Sequence, residues 1–215
     1  MDMITFDLDE TLVKAKKCHW YAFNDAFERY NLPRITYRKL IPYLNGRHAH
    51  QIVSELFPKL SKKQIDNVVK VHHSLIGSKY GKYAKKVPGV ISALKKVKKQ
   101  YTLGMISNCT HKEINGLLKG AKIDKKLFDI IIGKDDVNKS KPYPNEMFKA
   151  ERLMHKNIKF HIGDSPFDII AARRSKTKAI AVLTGVSSRK RLAKEKPFMI
   201  VRSVADVPKI VLKKD

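Results

Sequence analysis

From residue 87 onward, short apolar runs alternate with stretches of helical period, and this alternation leaves few architectures open to the chain. Pro88-Gly89 marks a turn, after which Val90, Ile91, Leu94 and Val97 recur at helical spacing across residues 90–100. Apolar runs follow at 101–107, 128–133, 159–163 and 179–183, with helical patterns at 144–154 and 167–175 and a last short strand candidate at 199–202. Strands separated by helices cannot close as tight hairpins. They pair in parallel and bury both faces of the sheet beneath the connecting helices. The first run of the chain, Met3-Ile4-Thr5-Phe6-Asp7-Leu8, has the same character and ends in a carboxylate. The expected fold class is therefore α/β with a parallel sheet.

One long segment breaks the alternation. Trp20, Phe23, Phe27 and Tyr30 are spaced by three and four residues over 17–30, and Pro33 stops that helix. Ile52, Val53, Leu56 and Phe57 precede Pro58, and Ile65, Val68, Val69, His72 and Leu75 continue the helical period to about residue 83. An all-helical stretch over 13–83, directly after the first strand, reads as an inserted helical cap. The expected division is a core of residues 1–13 plus 87–215 and a cap of residues 14–86.

Charge adds a second constraint. The 215 residues carry 45 Lys and Arg against 20 Asp and Glu, a formal net charge of +25. Such a field concentrates anions: phosphate esters, nucleic acid or an acidic membrane. The same excess also reads as a solvated lysine-rich surface. It is absent from the first 13 residues, which hold no Lys or Arg and four acids, Asp2, Asp7, Asp9 and Glu10. Carboxylates gathered there call for a cation. The two cysteines, Cys18 and Cys109, are far apart and lack metal-ligand spacing, so no disulfide framework or zinc site is expected. No run approaches the roughly 18 apolar residues of a membrane span, and the early acids leave no secretory signal visible. A cytoplasmic location is the expectation.

In an open parallel sheet, ligands bind beyond the C-terminal ends of the strands. Four strand ends here are polar: Asp7 with Asp9, Ser107 with Asn108, residues 133–136, and residues 163–168. Two carboxylates two residues apart can project to one side of a strand end. Their repulsion is relieved by a hard cation such as Mg²⁺ with oxygen ligands. One carboxylate can then attack phosphorus while the other handles the leaving-group proton. Ser107-Asn108 offers a hydroxyl and backbone N–H groups to phosphoryl oxygens, and reads equally as an ordinary helix N-cap. Lys141, in Lys139-Ser140-Lys141-Pro142-Tyr143-Pro144-Asn145-Glu146, would place an ammonium before a helix. In Gly163-Asp164-Ser165-Pro166-Phe167-Asp168, Asp164 is the better metal-ligand candidate. Asp168 fits either the metal site or a helix N-terminus.

Taken in order, Asp7-Leu8-Asp9-Glu10-Thr11, Ser107-Asn108, Lys141-Pro142 and Gly163-Asp164 with Asp168 resemble the haloacid dehalogenase superfamily of phosphotransferases over nearly the whole chain. The long helical insert after the first motif resembles the subclass that includes phosphoglycolate phosphatase and β-phosphoglucomutase. The resemblance implies a Rossmann-like core with a helical cap and a Mg²⁺-dependent phosphatase acting on a small phosphorylated metabolite through an aspartyl-phosphate. By that resemblance Asp7 is the nucleophile and a metal ligand. Asp9 is the general acid and base, with its backbone carbonyl on the metal. Asp164 is a further ligand, and Asp168 supports the metal site. Ser107, the Asn108 amide and Lys141 hold the phosphoryl group, and Thr11 steadies the first loop. Glu10 and Lys176 stand where many relatives have glycine. A dehalogenase is disfavoured because those relatives lack the second acid, which is Asp9 here.

Within the cap, Asn45-Gly46-Arg47-His48 is the most polar turn, and Arg47 is the first candidate for a substrate contact, since a guanidinium grips a carboxylate or second phosphate bidentately. Two alternatives stay open. A phosphomutase uses the same core, and the high charge suits a nucleic-acid-associated protein or polynucleotide phosphatase, although no nucleic-acid recognition motif is present. A membrane partner is not expected.

Overall fold

A computed structural model describes residues 1–212. In chain order the elements are β1 (Met3–Phe6), β2 (Val13–Lys14), α1 (Lys16–Arg29), α2 (Tyr37–Leu40), α3 (Ala49–Leu56), α4 (Lys62–Leu75), β3 (Lys85–Lys86), α5 (Val90–Lys98), β4 (Thr102–Ser107), α6 (His111–Gly120), β5 (Ile130–Gly133), α7 (Asn145–Met154), β6 (Ile158–Gly163), α8 (Pro166–Arg174), β7 (Lys178–Val182), α9 (Arg189–Ala193), β8 (Met199–Val201) and α10 (Val207–Val211).

Six strands form one sheet in the order β5-β4-β1-β6-β7-β8, every pair parallel, so the expected α/β class holds. β1 is central and wholly buried. Ile4 and Phe6 point to one face and join Leu94, Val97, Leu103, Met105, Ile114 and Leu117. Met3 points to the other, with Ile106, Met147, Ala150, Ile169 and Ala172. Burial on both faces explains why these strands read as continuous apolar runs rather than as alternating ones. β4 and β5 extend from one side of β1, and β6, β7 and β8 from the other. The chain reverses direction across the sheet at β1, which opens a crevice at the C-terminal ends of β1, β4 and β6.

Helices α1 to α4 lie between β2 and β3 and have an apolar cluster of their own, built on Phe23, Phe27, Leu40, Ile52, Val53, Val68 and Val69. Phe23 and Phe27, one turn apart on α1, stack with ring centroids 5.6 Å apart. At the start of α4, Ser61 and Gln64 form a reciprocal cap. The expectation of an all-helical segment over 13–83 is corrected at its start. Val13–Lys14 pairs antiparallel with Lys85–Lys86 as a short ribbon where the chain leaves and re-enters the sheet layer. Two-residue strands are too short to show any alternation. Other boundaries move by one or two residues; β5 starts at Ile130 rather than at 128 because a 3-10 turn over Lys125–Leu127 delivers the chain to it. Among the described residues no helix is long and apolar enough to cross a membrane.

Candidate active site

The crevice at the centre of the sheet edge holds most of the residues singled out from the sequence. Asp7, Asp9, Arg47, Ser107, Asn108, Lys141, Asp164 and Asp168 line one cavity of about 100 Å³. Thr11 stands behind it, its hydroxyl donating to Asp164 Oδ1 at 3.3 Å.

Asp7 follows β1 directly, and its N–H donates to Ile162 O on β6 at 2.8 Å, which fixes the loop to the neighbouring strand. The buried Lys141 Nζ donates to Asp7 Oδ1 at 2.7 Å, to Asp168 Oδ1 at 2.7 Å and to Ile106 O at 3.0 Å. All three ammonium protons are thereby used. Asp168, at the start of α8, also accepts from the Ser165 N–H and hydroxyl at 3.0 and 2.5 Å, and lies 3.3 Å from His161 Nε2. Both of its oxygens are engaged. Burial opposes its ionisation, but the Lys141 ammonium and His161 hold its carboxyl far below the ordinary range.

The other two carboxylates are in a different state. Burial pushes the Asp7 carboxyl up to about 7 against the pull of Lys141. Burial, and then the charges of Asp7 and Asp168, raise Asp164 well above its usual value. Asp164 has no ammonium or guanidinium partner among the described residues. One oxygen from each of Asp7, Asp164 and Asp168 lies within 4.8 Å of the others. Gly185 stands against this cluster, and a Cβ there would fall 1.8 Å from Asp164 Oδ2, so only glycine leaves the carboxylate its place. Buried oxygen donors in excess of the positive charge beside them suit a hard divalent cation. Since Lys141, Ser165 and His161 occupy Asp168, the oxygens left to such an ion are those of Asp7 and Asp164.

Asp9 faces the helical segment. Its Oδ2 lies 3.1 Å from His19 Nε2 on α1 and accepts from Cys109 Sγ at 3.2 Å, while its Oδ1 is buried with no partner among the described residues. Burial lifts this carboxyl, but the His19 charge and hydrogen bond outweigh it and hold Asp9 below its ordinary value. His19 is raised in return, against its own burial. His19 Nδ1 is in turn 3.2 Å from His72 Nε2 on α4. The Asn108 amide donates to Gly46 O at 3.3 Å and to Lys141 O at 3.1 Å, which joins the turn after α2 to the sheet edge. Gly46, at φ +93°, lies so close to Ser165 that a Cβ would come within 2.7 Å of its hydroxyl.

Arg47 reaches the cavity rim, but its guanidinium is 3.3 Å from Glu55 Oε2 and lies over the Tyr43 ring, both within the helical segment. Glu10 and Lys176, the two residues standing in place of glycine, have φ of +58° and +61°. The Glu10 carboxylate accepts from the Ala15 and Lys16 N–H groups at 2.8 and 3.1 Å and so caps α1, which offsets the strained backbone.

Sequence reading missed His19, His48, His72, His73, Cys109 and Glu113, all of which line the same cavity. Cys109 could have been found as the residue after Ser107-Asn108. Nothing in local spacing marks His19 and His72, whose chain of contacts to Asp9 depends on how α1 and α4 pack.

The family described as haloacid dehalogenase-like hydrolase matches residues 4–182. Pyrophosphatase PpaX of Bacillus mycoides is 22% identical over 210 residues, covering 96% of this chain and 95% of the relative. Among solved structures, a Haemophilus somnus protein predicted to be a phosphoglycolate phosphatase superposes with a TM-score of 0.83 at 22% identity, covering 98% of both chains. CbbY of Rhodobacter sphaeroides, in complex with xylulose-1,5-bisphosphate, superposes with a TM-score of 0.80 at 16% identity over 96% of each. The family match runs from the first strand to the seventh and takes in every sheet-edge motif, and the chain is accordingly a hydrolase of the haloacid dehalogenase-like family.

Proposed function

We propose that the protein is a Mg²⁺-dependent phosphatase that hydrolyses a small phosphate ester through an aspartyl-phosphate on Asp7. The observation that carries this reading is the buried group Asp7, Asp164 and Asp168 with Lys141 between two of them, at the sheet edge beside Asp9. Asp7, Asp164 and the Asp9 carbonyl would hold the ion, which when bound supplies positive charge to the phosphoryl oxygens. The Ser107 hydroxyl and the Asn108 N–H would bind those oxygens, and Lys141 would join them by exchanging its bond to Asp7 for one to the phosphoryl group. An Asp7 oxygen attacks phosphorus as the ester oxygen departs with the proton that the Asp9–His19 pair shares, passed on through Asp9. Water then attacks the aspartyl-phosphate and gives a proton to Asp9, which restores the Asp7 carboxylate and releases phosphate. His19 orients Asp9 for both proton transfers. Proton transfer of this kind is worth roughly 10²–10⁴-fold.

The helical segment acts as the cap in this reading, and the residues it contributes to the cavity limit the leaving group. His19, Arg47, His48 and His72 are polar or cationic, Phe23 and Ile52 are apolar, and the space is about 100 Å³. A small anionic leaving group fits those walls. The relatives' names point to phosphoglycolate, sugar phosphates and pyrophosphate as the first compounds to test. The experiment is a hydrolysis screen over these with Mg²⁺ and with excess chelator, run beside Asp7→Asn. Turnover that needs Mg²⁺ and vanishes in the variant is the expected result. Turnover that survives Asp7→Asn removes Asp7 as nucleophile.

A further inference from the structure

The β2–β3 ribbon carries a charge arrangement that catalysis does not use. Lys14 and Lys85 are directly opposite each other in the antiparallel register, both exposed. Like charges at facing positions destabilise a strand pair, and a two-residue ribbon has little else to offset that. Among the described residues no carboxylate lies within ion-pairing distance of Lys14, Lys85 or the nearby Lys17.

These lysines line a groove of about 360 Å³ together with Lys16, Tyr37, Tyr83, Thr184 and one acid, Glu10, which is paired with Lys16. Both tyrosine rings are accessible, Tyr37 being 36% and Tyr83 47% exposed. Both also pack against other side chains, and the Lys82 ammonium lies 5.3 Å from the centre of the Tyr83 ring. Trp20 meets Tyr37 edge-on at 5.8 Å, and Tyr21 and Tyr80 lie 5.3 and 6.2 Å from Tyr83. The Thr184 hydroxyl is buried at the groove with no partner among the described residues. The groove adjoins the catalytic cavity, and the ion pair of Lys16 with Glu10, 3.0 Å long, stands between the two.

We propose that this groove binds single-stranded nucleic acid, with phosphodiesters on Lys14, Lys17 and Lys85 and bases stacked on Tyr37 and Tyr83. Unpaired ammonium groups alone would accept any polyanion. Fixed aromatic rings beside them favour one that carries flat bases, and a concave groove does not fit a planar lipid surface. The site gives part of the +25 charge a specific use. It stands on the ribbon and not on the phosphatase reading, so either can fail alone.

The test is binding of a labelled oligothymidylate to the full chain, titrated at salt between about 50 and 200 mM. Lys14→Gln/Lys85→Gln should weaken binding and flatten the dependence of log affinity on log salt by about 1.4, at about 0.7 for each lost phosphate contact on a single strand. Tyr83→Leu should weaken binding roughly ten-fold with the salt slope unchanged. Lys95→Gln/Lys99→Gln, on and just after α5, should leave binding as it is. The proposal is overturned if the wild type does not bind at about 50 mM salt, or if the α5 pair matters as much as the ribbon pair. It is equally overturned if Tyr83→Leu binds like wild type, or if inorganic polyphosphate displaces the label as well as unlabelled oligonucleotide does at equal phosphate.

Discussion

The sheet edge and the helical segment are built on opposite principles. At the sheet edge, charge is buried and held by fixed partners: Lys141 spends all its protons on Asp7, Asp168 and a carbonyl, and Asp168 is saturated by four donors. The helical segment has its own apolar cluster. Around the cavity it meets the sheet layer through polar bonds: His19 to Asp9, Asn108 to Gly46, His73 Nδ1 to Glu113 at 2.7 Å, and Lys134 Nζ to His73 Nε2 at 2.6 Å. Groups that stabilise charge in a transition state work best when they cannot reorganise. Where the joint is made of hydrogen bonds, as around the cavity, the two walls can part at little cost in exposed apolar surface, while Ala22, Leu75, Ile76 and Tyr80 pack into the main apolar cluster and hold the segment to the core. The contrast is between a wall whose charged groups are locked by buried partners and a facing wall joined to it, around the cavity, by exchangeable hydrogen bonds.

This division can be broken by experiment. The largest expected effect is that of Asp7→Asn, a loss in kcat on the order of 10⁶-fold, as when other covalent nucleophiles are removed. Its thermal midpoint should not fall, because the substitution lightens a crowded set of buried charges. A midpoint drop of many degrees would mean that Asp7 holds the fold as well as the chemistry. Asp9→Asn should cost about 10²–10⁴-fold. That loss should be smaller for an aryl phosphate, whose leaving group needs little protonation, than for an alkyl phosphate; equal losses would count against proton transfer by Asp9.

Lys141→Met tests the rigidity of the sheet edge. It strands Asp7 and Asp168 in a buried place without their ammonium, and breaking a buried pair in this way costs about 3–5 kcal/mol. Chemical denaturation measures it, and a cost below about 1 kcal/mol would show the edge to be more plastic than its bonding indicates.

Glu113 tests the junction. Burial raises its carboxyl, but the bond to His73 and the Thr110 N–H hold it below 4.5. A depressed folded value means that the unfolded state binds more protons, so the stability it contributes is present above pH 4.5 and is lost as pH falls through the folded value. The gap in thermal midpoint between wild type and Glu113→Gln should therefore narrow as pH falls below about 4.5. A gap that stays constant with pH would assign Glu113 a packing role only. The smallest expected effect is that of Arg47→Ala, a several-fold rise in KM for a carboxylated or doubly phosphorylated substrate with kcat unchanged, since Arg47 must exchange Glu55 for substrate. An unchanged KM would leave Arg47 as a rim residue held by Glu55.

The strands were legible in the sequence because a strand buried on both faces is apolar at most positions, as β1 and β4 are. The convergence of Asp7, Ser107 and Asp164 was legible for a related reason: a parallel sheet delivers its strand ends to one edge, whatever their distance along the chain; residues 133–136, a strand end expected there too, do not line the cavity, and Lys141 reaches it from the loop before α7. Those properties are set by local pattern and topology, and the sequence determined them by itself. The tertiary structure alone decided that His19 meets Asp9, that His73 meets Glu113, that Lys141 bridges Asp7 and Asp168, and that Lys14 faces Lys85. Each of these depends on the angle at which helices and ribbon pack across long stretches of chain. Packing angle is set by the sum of many weak side-chain contacts, and no local spacing encodes that sum.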